Sequence, residues 1–397
     1  MRILFLTQRL PYAPNRGDRI RAYHELRALS HRHEVHLVSL VHSGAEQSHR
    51  DDLNGLAASV TAVRVPRLRN LLQSVATLPT GRPLTHTLLN APGMRHVVQR
   101  VAQRHRPDLV LAFCSSMARF ALDSFLAGLP VIIDMVDVDS EKWATLANRS
   151  SGIKRWVYSR EARCLGRFEG EATRRALVTY VVNAREAVSL SALAGPAARV
   201  EVLQNGLDLG YVKPEGPPRA SADVVFCGVM NYGPNEEGAL WLAREVWPLV
   251  LAARSDARLV LLGSSPTARL RRLPRAMPSI TVTGSVPDVR PYLWGAAVSA
   301  APLLVARGVQ TKVLEAVAAG LPVVVTRVVA EGLPPEVMAS CRIASTPVDF
   351  ATALLDLLAT PPVERRLLAT SAPLAELSWD RRLAPLLDAI EKVGQRT

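Results

Sequence analysis

A lysine and a glutamate three residues apart stand where a short helix is expected to begin. Lys312 and Glu315 lie in the stretch A-R-G-V-Q-T-K-V-L-E-A-V-A-A-G-L-P-V-V-V-T, which predicts a loop, a helix from Thr311 and a strand at residues 323–325. Positions i and i+3 share one helix face, so both side chains project together. A helix N-terminus suits a phosphate, Lys312 adds positive charge, and Glu315 can accept the two vicinal hydroxyls of a ribose. The alternative is a surface ion pair on an ordinary helix.

The composition predicts a globular protein of two domains. The chain has 397 residues, of which 48% are hydrophobic and 21% charged, enough for two sizeable cores. No apolar run reaches the roughly 18 residues of a membrane span, and the N-terminus is expected to be a strand rather than a secretory signal. Cys114, Cys164, Cys227 and Cys341 show no C-x-x-C and no zinc spacing. We therefore expect a cytoplasmic protein, and nothing in the sequence requires a metal or another cofactor.

The net charge of +13 is concentrated in the first half of the chain. Residues 1–205 carry 28 basic and 17 acidic residues, whereas residues 206–397 carry 20 and 18. A basic half suggests an anionic partner, either a membrane surface or a pyrophosphate-linked substrate, which would place the protein at the inner face of the cell membrane. Aromatic residues are only 5% and do not alternate with basic ones, so nucleic acid is not an expected partner.

The chain opens with the strand, loop and helix of a Rossmann-like unit. Residues 2–7 are apolar, and an amphipathic helix is expected at about residues 20–30. The loop between them holds one glycine instead of G-x-G-x-x-G, so it is not a dinucleotide fingerprint. The next elements are expected to be strand 34–40, helix 45–58, and strands 60–65, 108–114, 130–135 and 178–182.

Positive charge collects at the start of the first helix. Arg16, Arg19 and Arg21 stand where the helix dipole is itself positive, an arrangement that favours a bound anion. A solvated basic loop is the alternative. We predict that Gly17, Asp18 and Arg19 bind the acceptor substrate.

Four acids close the strand at residues 130–135, in the sequence D-M-V-D-V-D-S-E-K-W. Acids at the carboxyl end of a sheet strand face the crevice where α/β proteins bind ligands, and three of them are enough to hold a divalent cation. Asp139 or Ser140 is predicted to cap the next helix, with Glu141 in its first turn. Asp137 is the acid that we expect in the crevice.

Two apolar stripes with basic neighbours lie between residues 67 and 106. The first contains Leu71, Leu72, Val75 and Leu78, and the second contains Met94, Val97, Val98 and Val101. In a soluble domain such helices usually cover a sheet, whereas a basic amphipathic helix can also lie on anionic lipid. The sequence leaves both interpretations open.

Strand–helix alternation resumes after the Pro/Gly-rich stretch K-P-E-G-P-P-R-A-S-A, which we interpret as a linker. A helix is expected from residue 236 to about 251, kinked near its end by Pro248, and an amphipathic helix is expected at the C-terminus. Strands are expected at residues 223–227, 259–262, 280–282, 297–301 and 323–325. The pattern predicts two doubly wound α/β domains.

Several stretches resemble glycosyltransferase family 4. The stretch around Lys312 is similar to its donor-site signature, L-Q-N-G-L-D to its domain-junction motif, and G-S-V-P-D-V-R-P-Y-L to the segment before the donor loop. Q-R-L-P-Y-A-P-N-R-G-D-R-I-R, A-F-C-S-S-M-A-R-F, D-M-V-D-V-D-S-E-K-W and F-C-G-V-M-N-Y-G-P-N resemble the sugar transferases associated with PEP-CTERM/exosortase exopolysaccharide loci. The resemblance spans nearly the whole chain.

The resemblance implies a GT-B fold, in which two Rossmann-like domains face each other across a cleft. The N-terminal, acceptor-binding domain would comprise residues 1–207 with the terminal helix 377–397, and the donor-binding domain residues 208–376. The implied activity is transfer of a sugar, with retention, from a nucleotide diphosphate sugar to a glycan or polyprenyl-linked acceptor, without a cofactor. A catalytically silent scaffold that binds a sugar nucleotide or a membrane partner is one alternative, and sugar-nucleotide epimerisation is another.

The resemblance also implies a donor site. Glu315 matches the family's ribose-binding acid and Lys312 its diphosphate-binding cation, and Asp137 completes the predicted catalytic set by positioning or deprotonating the acceptor hydroxyl. The predicted donor-binding residues are Gly228, Asn231, Ser285, Val286, Arg307, Gly308, Val309, Gln310, Thr311, Lys312 and Glu315. Two positions depart from the family pattern. Arg307 replaces an earlier acid, and the loop after the second domain's first strand lacks a cation, so Lys312 and Arg307 would carry the phosphate charge.

Overall fold

Two parallel β-sheets, one in each half of the chain, form the cores of the computed structural model, which describes residues 1–12, 17–306 and 309–395. Of Gly17 and Asp18 only the backbone is described. The contacts divide the chain into two units, residues 1–204 with those from 382 onward, and residues 205–381. The stretch K-P-E-G-P-P-R-A-S-A therefore belongs to the second unit and is not a linker between the two, because the boundary falls at Gln204.

The first sheet is built from apolar strands that helices cover on both faces. Its strands are β1 (Arg2–Thr7), β2 (Glu34–Val41), β3 (Ser59–Arg64), β4 (Leu109–Phe113), β5 (Val131–Val136), β6 (Val178–Val181) and β7 (Val200–Val202). All pairings are parallel, in the order β3-β2-β1-β4-β5-β6-β7. Strands of this kind are continuous apolar runs because neither face meets water, as the wholly buried L-V-L-A-F of β4 shows.

The helices of the first unit connect these strands. They are α1 (Gly17–Ser30), α2 (Gly44–Gln47), α3 (Arg67–Thr77), α4 (Leu84–Leu88), α5 (Met94–His105), α6 (Ser115–Ala121), α7 (Asp139–Asn148), α8 (Gly152–Arg175) and α9 (Ala184–Ala194), with 3₁₀ turns at Ser48–Leu53 and Ser124–Leu126. The helix expected at residues 45–58 is wrong. Only α2 and a 3₁₀ turn form there, because Leu53 is the one buried residue of that turn and a regular helix would have no apolar stripe to pack.

The second sheet is also parallel. Its strands are β8 (Asp223–Cys227), β9 (Arg258–Leu262), β10 (Ile280–Gly284), β11 (Val298–Ala301), β12 (Val323–Thr326) and β13 (Cys341–Ala344). They are parallel in the order β10-β9-β8-β11-β12-β13. Both units are thus Rossmann-like α/β domains, and the predicted fold class is confirmed.

The helices of the second unit are mostly short. They are α10 (Leu209–Val212), α11 (Gly233–Trp241), α12 (Trp247–Ala253), α13 (Ala268–Arg271), α14 (Leu273–Ala276), α15 (Arg290–Gly295), α16 (Thr311–Ala318), α17 (Arg327–Ala330), α18 (Pro347–Ala359) and α19 (Pro362–Thr370), with 3₁₀ turns at Pro335–Ser340 and Leu374–Leu377. A π-helical turn, Leu242–Val246, joins α11 to α12 immediately before Pro248. Since proline donates no N–H, the disturbance falls in the turn before it, earlier than the kink predicted.

The last helix, α20 (Trp379–Gly394), belongs to the first unit from Arg382 onward. Within that unit the hydroxyl of Tyr180 on β6 donates to the carbonyl oxygen of Pro385 at 2.9 Å, and Leu386 and Ile390 are fully buried. The C-terminal helix thus packs on the first unit. None of the described helices has both the length and the apolar character that crossing a membrane requires.

Candidate functional site

The second sheet has a topological switch point between β8 and β11. Its strand order runs one way from β8 and the other way from β11, so the loops that follow these two strands diverge and leave a crevice at their carboxyl ends. Ligands of open α/β sheets bind in such crevices. The loop after β8 begins at Gly228, and the loop after β11 leads to α16, whose helix begins at Thr311 as predicted. The loop that begins at Gly228 and the start of α16, which both hold predicted donor-binding residues, therefore lie at this crevice.

Lys312 is the cation of this crevice. Its Nζ donates a hydrogen bond of 2.6 Å to Oδ1 of Asn235 and lies 4.9 Å from the ring centroid of Phe226. Burial lowers its pKa to about 8, against the opposing influence of Cys227 and Glu315. Among the described residues no carboxylate lies within salt-bridge distance of this ammonium group. Its charge is therefore left for a ligand to neutralise.

Glu315 lies one turn further along α16 and is partly buried. Burial raises the pKa of its carboxyl group to about 7, and the nearby Lys312 partly counters that rise. No described residue donates a hydrogen bond to this carboxylate. Two acceptor oxygens are thus open to donors from a ligand, such as the hydroxyls of a ribose.

Asn235 is a site residue that the sequence analysis missed. It is 6% exposed, and its Nδ2 donates to the carbonyl oxygen of Val229 at 2.9 Å while its Oδ1 accepts from Lys312. A buried amide needs such partners, but the sequence N-Y-G-P-N does not tell which of its two asparagines is the buried one. Asn231, the residue predicted, is exposed in the loop after β8.

Gly228 is required by the close packing of this corner. A Cβ there would stand 2.8 Å from Nδ2 of Asn235 and 3.3 Å from Nζ of Lys312. Its carbonyl oxygen in turn lies where a Cβ on Gly263, at the end of β9, would be only 1.8 Å away. The two glycines let the ends of β8 and β9 meet and let the lysine reach the crevice.

The other predicted donor residues surround the start of α16 and the end of β10. Thr311 is exposed at the first position of the helix, Gln310 precedes it without a side-chain cap, and Val309 packs partly on the core. Ser285 is exposed after β10 and Val286 packs partly on the core. Arg307 and Gly308 lie outside the described residues. The N-cap residue Gln310 makes no side-chain cap, and its carbonyl oxygen accepts from the N–H of Val313 at 2.9 Å. The N–H groups of Thr311 and Lys312, the first two of α16, have no acceptor among the described residues and can meet an anion.

Replacing Glu315 by glutamine is expected to stabilise the ligand-free protein at pH 8 but to have little effect at pH 5. The pKa of this buried acid is raised from 4.5 to about 7, so its charged form is penalised in the folded state. The penalty grows as the pH rises from 4.5 to 7 and is full above 7, where its removal is worth on the order of 1–2 kcal/mol. Thermal unfolding at the two pH values measures the difference.

Glu364→Gln is the matched control, because Glu364 is exposed on α19 of the same unit. It is expected to leave the unfolding temperature unchanged at both pH values. Equal stabilisation by Glu315→Gln at pH 5 and pH 8 would contradict the burial of an ionised Glu315.

The first unit holds a second polar cluster at the carboxyl edge of its sheet. Nζ of Lys142 lies 3.0 Å from Oδ2 of Asp137 and 3.0 Å from Oδ1 of Asp139, and the hydroxyl of Ser115 donates to Asp139 at 2.9 Å. Burial alone would lower the pKa of Lys142, but the two carboxylates outweigh it and raise that pKa. Asp137 follows the carboxyl end of β5, is 40% exposed, and has the ammonium group of Lys142 beside it to balance its charge.

Two non-glycine residues with positive φ border this cluster. Cys114 follows β4 with φ 72°, and Val136 ends β5 with φ 65°. Three hydrogen bonds hold them: Cys114 N to the carbonyl oxygen of Asp134 at 2.8 Å, Val136 N to Oδ1 of Asp134 at 3.2 Å, and Val182 N to the carbonyl oxygen of Val136 at 2.7 Å. Such strain concentrates at functional sites, so it marks the carboxyl edge of the first sheet as a second place for a ligand.

The capping predicted for α7 is wrong. Its N-cap is Val138, and neither Asp139 nor Ser140 caps it through its side chain. Two remote acids serve instead: Glu169 on α8 accepts from the backbone N–H of Ser140, and Glu186 on α9 accepts from the N–H of Val138 at 2.7 Å. Burial raises the pKa of Glu169 to about 8. Capping acids from neighbouring helices leave no local signal in the sequence.

The anion expected beside Arg19 and Arg21 is replaced by the protein's own carboxylates. Arg19 is 5% exposed and its guanidinium lies 3.3 Å from Oε1 of Glu46. Arg21 is 2% exposed and pairs with Asp134 at 2.5 Å and with Glu25 at 3.3 Å. The expectation of a bound anion is therefore wrong for Arg21, whereas the acceptor role of Arg19 stays a prediction.

One group of described residues has ligand atoms close enough to hold a metal ion. Glu34 and His36 on β2 and His105 at the end of α5 lie with these atoms within 4.8 Å of one another. The two imidazole rings stack at 3.7 Å between centroids, and burial lowers the pKa of His36. The group lies at the amino ends of the strands of the first sheet, whereas Asp137 follows the carboxyl end of β5.

Comparison with known proteins agrees with this fold. The model of the glycosyl transferase 4-like domain matches residues 17–206, and that of the glycosyl transferases group 1 matches residues 221–360. Similar solved structures include sucrose-phosphate synthase from Thermosynechococcus elongatus, at 16% identity and TM-score 0.70 over 100% of both chains. HepE from Anabaena in complex with UDP has 14% identity and TM-score 0.68 over 99% of this chain and 100% of that one. WaaG, a glycosyltransferase involved in lipopolysaccharide biosynthesis, has 16% identity and TM-score 0.60 over 98% of each chain.

These comparisons define the class. The solved structures share the GT-B arrangement of two Rossmann-like domains, and at these identities the likeness shows the fold alone. The two family matches cover most of the chain and agree with each other. The chain belongs to the group 1, family 4-like glycosyltransferases. No match was found among curated proteins.

Proposed function

We propose that this glycosyltransferase takes its sugar from a nucleotide diphosphate sugar bound at the start of α16. The observation that carries the proposal is Lys312, a partly buried lysine with no described carboxylate within salt-bridge distance, next to Glu315, whose carboxylate accepts no hydrogen bond from a described residue. A diphosphate supplies the missing negative charge, and a ribose supplies two hydroxyl donors for the carboxylate. The two halves of a nucleotide diphosphate thus match the two groups.

The proposed chemistry is electrostatic. As the sugar leaves, negative charge grows on the diphosphate, and Lys312 with the open N–H groups of α16 stabilises it where it develops. Glu315 holds the ribose and so fixes the position of the diphosphate. Retention of configuration is proposed from the family resemblance, and no protein nucleophile is assigned. Arg307 is proposed to add a second positive charge.

The acceptor is proposed to be a glycan or polyprenyl-linked sugar bound by the first unit. Asp137 stands at the carboxyl edge of that sheet, where its carboxylate can orient an acceptor hydroxyl while Lys142 balances its charge. Gly17, Asp18 and Arg19, at the start of α1, are proposed to line the same region. The resemblance to sugar transferases of exopolysaccharide loci supports glycan assembly as the setting.

UDP is the first nucleotide to test, because HepE of Anabaena, a structural relative, is described in complex with UDP and with UDP-glucose. Purified protein should be heated with UDP-, GDP-, ADP- and dTDP-sugars, for wild type and for Glu315→Ala and Lys312→Ala. A ligand that binds only the folded state raises the unfolding temperature with its concentration. We expect one nucleotide to stabilise the wild type and neither variant.

A folded wild type that no nucleotide stabilises would contradict the donor site. A nucleotide that binds, but from which no nucleoside diphosphate is ever released in the presence of glycan acceptors, would favour a silent scaffold instead. The silent scaffold is retained as a second candidate because Arg307 stands where the family pattern has an acid.

A further inference from the structure

Helix α3 of the first unit packs with its polar side inward. Asn70 is 1% exposed, and its Nδ2 donates to the carbonyl oxygens of Leu88 at 3.0 Å and Asn90 at 2.7 Å. Thr77, at 9% exposure, shares a hydrogen bond of 3.0 Å with the hydroxyl of Thr87. These bonds tie α3 to α4 and the loop that follows it. The helix is therefore held to the protein by polar contacts, the reverse of an ordinary surface helix.

The opposite side of α3 is apolar and open to solvent. Leu68, Leu71, Leu72 and Val75 are 82%, 60%, 76% and 64% exposed. Their spacing of i, i+3, i+4 and i+7 puts them in one stripe along the helix, which we call the apolar face of α3. Four large apolar side chains in one stripe differ from the single exposed residues that are normal on a surface.

The other basic, apolar stripe of this region behaves differently. Met94 and Val98 on α5 are 1% and 0% exposed and belong to the core of the first unit. The structure thus decides between the two interpretations that the sequence left open: α5 covers the sheet, and α3 presents its stripe outward.

A second apolar element adjoins the C-terminal end of α3. Ile153 and Trp156, at the start of α8, are 78% and 52% exposed. One turn after Trp156, Arg160 donates from Nε to the carbonyl oxygen of Leu78 at 2.9 Å and from Nη2 to that of Thr77 at 3.0 Å. Since residues four apart share a helix face, Trp156 lies on the side of α8 that meets α3.

Positive charge surrounds these apolar groups. Residues 53–107 hold eight arginines and no acid, and residues 142–160 hold five basic residues and no acid; of these, Arg95, Lys142 and Arg160 pair with acids outside the two stretches. Arg67 and Arg69 are exposed on α3, about 100° to either side of Leu68, so they flank the apolar face. Lys154 and Arg155 are exposed beside Trp156. An apolar stripe between arginines, with a tryptophan at its end, is suited to the headgroup region of an anionic bilayer.

We propose that the apolar face of α3 and the first turn of α8 dock on an anionic lipid bilayer. The alternative of a second copy is disfavoured by charge, because a two-fold interface would set the same arginines against each other without an acid to pair them. Docking on a bilayer would bring the protein to a lipid-linked acceptor, and this part of the inference rests on the proposed function. Vesicle binding itself requires no transfer activity, so the two can fail separately.

The test is co-sedimentation of the full chain with vesicles of phosphatidylcholine alone and with phosphatidylglycerol added. We expect binding only to the anionic vesicles, weakened by 1 M salt, which shortens the Debye length to about 3 Å. Leu68→Ser and Leu72→Ser should each weaken binding about tenfold, since each removes one leucine from the lipid. Both positions are exposed, so folding should be retained. Nucleotide stabilisation of these variants should match the wild type.

Leu367→Ser is the matched control, a leucine 61% exposed on α19 of the second unit, and it should bind vesicles as the wild type does. Brominated lipids should quench tryptophan emission in the wild type, with the quenching largely lost in Trp156→Phe. Equal binding to neutral vesicles, or unchanged binding of the Leu68 and Leu72 variants, would overturn the proposal. So would a wild type that binds no vesicle, and a leucine-dependent dimer in its place would identify a second copy as the occupant.

Discussion

Replacing Lys312 by alanine is expected to lower the release of nucleoside diphosphate from the donor by about 10²–10³-fold, the usual cost of removing one preorganised electrostatic group. Lys312 is the only cation that the described residues place at the start of α16, and its burial strengthens its attraction for a diphosphate. Slow hydrolysis of the donor can be followed without knowing the acceptor. The control is Lys392→Ala, an exposed lysine near the end of α20, which should leave the rate unchanged.

Asn235 is expected to act by positioning Lys312, because its Oδ1 accepts the hydrogen bond of the lysine's Nζ. Asn235→Ala should lower the rate about tenfold, because the lysine loses the 2.6 Å bond that aims it while keeping its charge. Combined with Lys312→Ala it should cost little more than Lys312→Ala alone, since residues in contact are not additive. A double variant whose loss equals the product of the single losses would show that Asn235 does not position the lysine. The single variant should also shift the alkaline limb of the pH profile, which a purely structural asparagine would not do.

The elements that form the proposed donor site could be predicted closely from the sequence because their signals are local. Gly320 and Pro322 stop α16, the apolar run after them becomes β12, and the helix begins at the threonine expected. The alternation of strands and helices predicts a doubly wound sheet, whereas the crevice itself follows from the strand order that the structure shows. The lysine–glutamate pair could therefore be placed before its geometry was known.

The partners of that pair could not be predicted, because they depend on contacts between distant segments. Asn235 reaches Lys312 across 77 positions of the chain, and Glu169 reaches Ser140 across 29. The orientation of α3 has the same origin. Periodicity shows that an apolar stripe exists, but only the carbonyl groups of Leu88 and Asn90, which Asn70 binds, decide which side faces the protein.

Replacing Arg21 by methionine is expected to destabilise the first unit by about 3–5 kcal/mol, the cost of breaking a buried ion pair from one side. Arg21 lies 2.5 Å from Asp134 and 3.3 Å from Glu25, and the side chains of both acids are 0% exposed. Without the guanidinium, two carboxyl groups face each other away from water. Calorimetry should show the unfolding transition of this unit lowered by about 10 °C. Arg32→Met, which breaks the exposed pair with Glu391, should change it little.

The deficit of the Arg21 variant should grow with pH. Burial and then Asp134 already raise the pKa of Glu25 well above its usual value, and losing the arginine removes the group that lowers it. An acid with a raised folded-state pKa is penalised increasingly as the pH rises above its unfolded-state value, so the variant should be relatively more stable at pH 5 than at pH 8.

Adding Asp134→Asn to Arg21→Met should restore much of the lost stability, because the second change removes the charge that the first leaves unpaired. Asparagine has nearly the volume of aspartate and keeps an Oδ1 acceptor for the N–H of Val136, so a cavity left by the arginine would be unchanged and a packing defect would not be rescued. A double variant less stable than Arg21→Met, or a single variant with the same deficit at both pH values, would show that the triad is held by packing. Rescue together with a pH-dependent deficit would establish that Arg21 serves the first unit as the counter-ion of Asp134 and Glu25, and that its charge is not available to an acceptor.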